Sequence, residues 1–170
     1  MTERIVDVLP EEPVDVVSFS MGAITTLRLA SRQPERFHRI VVSGIGRNLF
    51  EDDPDRRRSI IAGVEGTADD DDNIARLFGQ YATQPGNDRV ALAAVMKAQG
   101  EPITKEQLAA ITRPVLVVIG DRDFAGPADP LVDALPDAKG VTLRNVDHFA
   151  TPESFAFIDA TLEFLDAVPR

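Results

Sequence analysis

Three residues of this 170-residue chain have the types and the spacing to do chemistry together: Ser20, an acid at 121 or 123, and His148. Ser20 stands in Ser18-Phe19-Ser20-Met21-Gly22, where an apolar, β-branched run (VDVVSF) gives way to a helical pattern. Small residues two before and two after a serine let the backbone turn sharply and push the hydroxyl out above a sheet. That is the logic of a G-x-S-x-G nucleophile turn, with Ser18 here in place of the first glycine. A helix starting at such a turn also favours developing negative charge. The competing role for the same serine is to cap the helix. Asp121 and Asp123 follow the apolar run PVLVVIG, and either could orient a base or cap the next turn. His148 lies in Val146-Asp147-His148-Phe149. The other histidine, His38, precedes a strand and so falls at the opposite end of a parallel sheet.

The elements that must position these residues can be read from periodicity. Apolar runs at Val14–Phe19, 39–43, 114–120 and 141–145 have the length and composition of strands. Helices are expected over 2–9, 23–32 and 127–135. A last helix is expected with Thr151 as N-cap and Pro152 in its first turn. Residues 47–112 have no strand signal; helices are expected near 55–62, Asn73–Ala82, 88–99 and 104–111. The acidic run Asp69–Asp72 reads as a solvated loop or helix start. Strands alternating with helices imply a parallel sheet covered on both faces. In such sheets functional residues gather at the C-terminal ends of strands, which is where Ser20, the acids and His148 fall.

Composition narrows the function classes. The net charge of −10 argues against nucleic acid, whose binding rests on neutralising phosphates with Lys and Arg, and against anionic membrane surfaces. There are no cysteines, so disulfides and thiol chemistry are excluded; a reducing, cytoplasmic setting is expected. Residues 1–12 lack the basic start and apolar stretch of a signal peptide. Two histidines are too few for a His-rich metal centre, and neither a metal nor a cofactor is expected.

The stretches VDVVSFSMGAITTLRLA, PERFHRIVVSG, PVLVVIGDRDFAG and NVDHFATPESFAFIDATLEFL together resemble the α/β-hydrolase superfamily, in its small esterase, lactonase and cofactor-free haloperoxidase-like branch. The chain order Ser, acid, His is that of the family. The resemblance implies an α/β fold with 1–46 and 113–170 as core and 47–112 as a helical cap over Ser20. It implies Ser20 as nucleophile and His148 as the base that takes and returns its proton. It also implies Asp123 as the acid that orients the imidazole. Asp123 is preferred to Asp121 because the family usually places its acid three residues after the glycine. The backbone N–H of Met21 would belong to the oxyanion hole. A serine at the turn sets the chain apart from relatives of this fold that use an aspartate nucleophile. The implied activity is hydrolysis of a small ester, lactone or similar carbonyl compound through an acyl-enzyme.

The same resemblance implies that the N-terminal strands of the fold, with the loop that supplies a second oxyanion N–H, are missing. Losing one such donor typically costs about 10²–10³ in rate. The strand 14–19 would then have an open apolar edge, and such edges pair with other chains. Self-association through that edge, or pairing with a separate N-terminal half, is therefore expected. The alternative to a working enzyme is a degenerate hydrolase acting as a non-catalytic interaction or ligand-binding module.

Overall fold

A computed structural model describes residues 5, 7–51, 53–69, 71–98 and 102–168. Four strands form one sheet: β1 (Val14–Phe19), β2 (Phe37–Ser43), β3 (Val115–Gly120) and β4 (Ala138–Leu143). Their order is β1-β2-β3-β4 and every pairing is parallel. Parallel neighbours need long crossovers, and helices supply them. These are α1 (Met21–Ala30), α2 (Pro54–Glu65), α3 (Asn73–Ala82), α4 (Arg89–Lys97), α5 (Lys105–Ala109) and α6 (Asp129–Ala134), with α7 (Phe155–Phe164) closing the chain. No helix among the described residues is long and apolar enough to cross a membrane.

The sheet has a core on each face. One combines Ala23, Leu27 and Ala30 of α1, Leu108 of α5 and Leu131 of α6 with Ile40, Val42, Val115 and Val117. The other packs Phe157 of α7 on Val41, Leu116, Val118 and Leu143. All six residues of β3 are buried, as its unbroken apolar run demands. β1 is less buried than β3, as a strand with one open edge would be. Its Asp15 and Val17 are exposed, Val17 at 47%, and only β2 pairs with it among the described residues.

The chain divides into two compact units, Met1–Glu51 with Pro102–Arg170, and Asp52–Glu101. The helical unit is thus shorter than the expected 47–112. The reason lies in packing: Ile103, Leu108 and Ile111 are buried in the core beside the sheet, and Leu49 and Phe50 pack against it. Several element boundaries also move by a few residues, most of all around the fourth strand and the last helix. β4 is Ala138–Leu143 and not 141–145: its pairing with β3 already starts at Val115↔Ala138, and Asn145, in a left-handed conformation (φ 59°) that a strand does not accept, lies beyond its end. Thr151–Glu153 forms a separate 3₁₀ turn, and the last helix starts at Phe155. Of the helix expected over 2–9, residues 2–4 and 6 lie outside the described residues, and 7–9 form turn and bend in place of helix.

Within the helical unit, α2, α3 and α4 start on the aspartates Asp53, Asp72 and Asp88, each accepting backbone N–H groups of the first turn. The acidic run therefore ends in an N-cap. The Ala75 N–H, helped by Ser59, holds the Asp72 carboxyl below its ordinary value. Gly63 lets α2 and α3 approach: a Cβ there would lie 2.1 Å from the Ala75 carbonyl oxygen. Gly63→Ala is expected to destabilise this unit by about 1–3 kcal/mol, because backbone must move to admit the methyl group. Denaturant unfolding followed by circular dichroism checks this; an unchanged midpoint would contradict the close approach.

Candidate active site

The elbow is built by strand register and local strain. β1 ends at Phe19, level with Ser43 of β2, which is in turn level with Val118 of β3. The Ser20 N–H donates to the Ser43 carbonyl at 2.8 Å, and helix α1 begins one residue later. Turning that fast puts Ser20 at φ 52°, ψ −119°, a conformation that non-glycine residues rarely adopt. Ser18, where a glycine is usual, directs its hydroxyl to the Val41 carbonyl (3.1 Å), so its side chain strengthens the β1–β2 pair. Gly22 is small for no reason of space: a Cβ there would meet nothing within 4 Å. Ser20 makes no side-chain capping bond to α1, which removes its competing role as an N-cap.

What the Ser20 hydroxyl meets is His148, 3.0 Å away at Nε2. The other ring nitrogen, Nδ1, lies 3.0 Å from both carboxylate oxygens of Asp123. An ionised carboxylate can only accept, so Nδ1 carries the hydrogen and the Nε2 lone pair faces the serine O–H. His148 and Asp123 are both buried, at 4% and 7% exposure. Asp123 is fixed further by the Ala125 N–H, which donates to Oδ1 at 2.9 Å. The arrangement can accept the serine proton at Nε2 as the oxygen attacks, while the carboxylate stabilises the resulting cation.

The remaining sequence candidates have other partners. His38 lies near the start of β2 and contacts Asp15 at 3.1 Å, away from the rim that carries Ser20. Asp147 accepts the Ala150 N–H and shapes the turn after His148. Met21 opens α1 directly after Ser20, with its backbone N–H at the helix N-terminus. No group of three or more metal-ligating side chains occurs among the described residues.

Asp121, the second candidate acid, clamps the loops together. It accepts the Asn145 N–H at 2.8 Å, and the neighbouring Arg122 donates its guanidinium to Asn145 Oδ1 (2.9 Å) and its backbone N–H to the Val146 carbonyl (3.1 Å). Gly120 permits this contact, since a Cβ there would lie 2.0 Å from the Val146 oxygen. The loop holding Asp123 and the loop holding His148 are thereby tied into one. Sequence reasoning weighed Asp121 as an acid that orients a base or caps its own turn, not as a tie between loops. The Asn145 close after the strand was the available signal, because Asn tolerates left-handed backbone.

A model of the alpha/beta hydrolase family matches residues 2–160. The chain belongs to that family. Among solved structures it is similar to MGS-M2, an alpha/beta hydrolase enzyme from a Medee basin deep-sea metagenome library. The identity is 17%, with a TM-score of 0.75, covering 99% of this chain and 72% of that one. It is also similar to the enol-lactonase of Burkholderia xenovorans LB400, at 19% identity and TM-score 0.68, over 97% of this chain and 71% of that. The 2-hydroxy-6-oxo-6-phenylhexa-2,4-dienoate hydrolase of Rhodococcus sp. strain RHA1 shares 23% identity at TM-score 0.63, over 98% and 69%. These likenesses establish the α/β-hydrolase fold. No curated protein matches the sequence.

The clamp yields a test. Asp121→Ala is expected to lower the rate at which a fluorophosphonate labels the chain by about tenfold, the effect of losing one charge-assisted hydrogen bond. Asp121→Asn, which keeps an acceptor oxygen, should recover most of that loss. Equal rates for all three proteins would show that the clamp does not position His148.

Proposed function

We propose that the chain is a serine hydrolase of small esters, lactones or similar carbonyl compounds, with Ser20 as nucleophile, His148 as general base and acid, and Asp123 as the orienting acid. The observation that carries this reading is the single imidazole bridging the Ser20 hydroxyl and the buried Asp123 carboxylate. In acylation, Ser20 Oγ bonds to the carbonyl carbon and its proton passes to His148 Nε2. The oxyanion of the tetrahedral intermediate is met by the Met21 N–H. The carbon–leaving-group bond then breaks, and the leaving atom takes the proton from Nε2. In deacylation, water gives one proton to Nε2 and its oxygen to the acyl carbon. The ester bond to Ser20 breaks and the proton returns to Oγ.

The substrate class draws support from the structural relatives. An enol-lactonase and a hydrolase of an oxo-dienoate both act on carbonyl compounds by the names they carry.

Labelling with a fluorophosphonate probe tests the assignment, since the probe captures an activated serine without needing the natural substrate. Ser20→Ala is expected to abolish labelling. Asp123→Asn is expected to slow it by about 10³–10⁴, the cost of presenting the wrong imidazole tautomer. A wild-type chain that stays unlabelled, or equal labelling of Ser20→Ala, would overturn the reading in favour of a non-catalytic binding module.

A further inference from the structure

Each of the three residues that meet at this site has a phenylalanine as a chain neighbour: Phe19-Ser20, Asp123-Phe124 and His148-Phe149. The three loops start from three different strands, yet all three rings converge on one imidazole. The Phe124 ring centroid lies 4.5 Å from that of His148 with the planes tilted by 35°. Phe19 lies at 4.8 Å with a tilt of 42°. Phe149 meets the imidazole at 5.4 Å, almost perpendicular at 82°. Gly44 makes room for this packing. A Cβ at Gly44 would fall 2.5 Å from Phe19 Cε2 and 3.0 Å from His148 Cε1, and its φ of 67° favours glycine independently.

We propose that Phe19 and Phe124 are positioning residues that act through His148, their ring faces stabilising the imidazolium formed when Ser20 gives up its proton. The proposal rests on the serine-hydrolase reading above and deepens it. An aromatic face carries a negative quadrupole and attracts a cation whose centre lies within about 6 Å of the ring centroid. Both centroid distances fall inside that limit. A neutral imidazole has no net charge for the quadrupole to attract, so the gain arises mainly as the proton arrives. An interaction stronger in the transition state than in the ground state raises the rate. Burial of His148 keeps water from screening the effect. Asp123 supplies the full countercharge at Nδ1; the rings add a smaller contribution and restrict the ring's tilt, leaving Nε2 aimed at Ser20.

The test separates ring electronics from ring packing. Position 124 is replaced in turn by mono-, di- and trifluorinated phenylalanine, which nearly keep size and shape while draining the ring face of electron density. The second-order rate constant for fluorophosphonate labelling is expected to fall steadily along the series, by about two- to thirtyfold in total. Replacement by cyclohexylalanine, which fills the space without a π face, should fall at the low end. The same series at Phe157, a core residue on the opposite face of the sheet, should leave the rate unchanged. Labelling that still requires Ser20 but stays flat along the series at 124, or falls equally at 157, would overturn this proposal and leave the hydrolase reading intact. Labelling that does not require Ser20 would overturn both.

Discussion

The site depends on a constraint of topology. All four strands run parallel in the order of the chain, so every strand delivers its following loop to the same rim of the sheet. The three loops that matter leave β1, β3 and β4. Hydrogen bonding fixes β1 against β2 at Phe19↔Ser43 and β3 against β4 at Gly120↔Leu143. A slip of one residue in either register would carry Ser20 or His148 to a new height and the opposite face. The strain at Ser20, about 1–3 kcal/mol for such a backbone conformation, persists because the Ser43 carbonyl and the start of α1 over-determine it.

The polar chain across the rim is coupled to folding. Burying a carboxylate and an imidazole is costly unless each finds partners. Here Asp123 is matched by His148 and the Ala125 N–H, and His148 by Asp123 and Ser20. Removing any member strands a buried neighbour. The clamp of Asp121 and Arg122 on Asn145 and Val146 follows the same pattern: charged side chains beside Asp123 and His148 hold the two loops together.

The strands were legible because β-branched runs such as PVLVVIG can hardly be anything but buried sheet, and the crossover helices followed from their periodicity. Ser20, Asp123 and His148 could be singled out because each follows a strand at the end where parallel sheets gather function. The choice of Asp123 over Asp121, however, came from a family resemblance; only the tertiary contacts explain the second acid. Less legible was anything set by local loop geometry. β4 ends short of the left-handed Asn145, and the 3₁₀ turn at Thr151–Glu153 delayed the last helix, though its capping residues read as a helix start. The edges of the helical segment were hidden because Ile103 and Leu108 look alike whether they pack among helices or on a sheet. The three phenylalanines were visible beside the reactive residues, but nothing in the sequence says that their rings meet.

The most direct test of the central claim needs no substrate. In protein with ¹⁵N-labelled histidine, the Nδ1–H of His148 is expected to give a slowly exchanging, strongly downfield proton resonance, coupled to nitrogen, that disappears in Asp123→Ala and moves when Ser20 carries a phosphonyl group. A His148 Nδ1 proton that exchanges freely with solvent, or a resonance indifferent to both changes, would mean that serine, imidazole and carboxylate do not form one hydrogen-bonded chain.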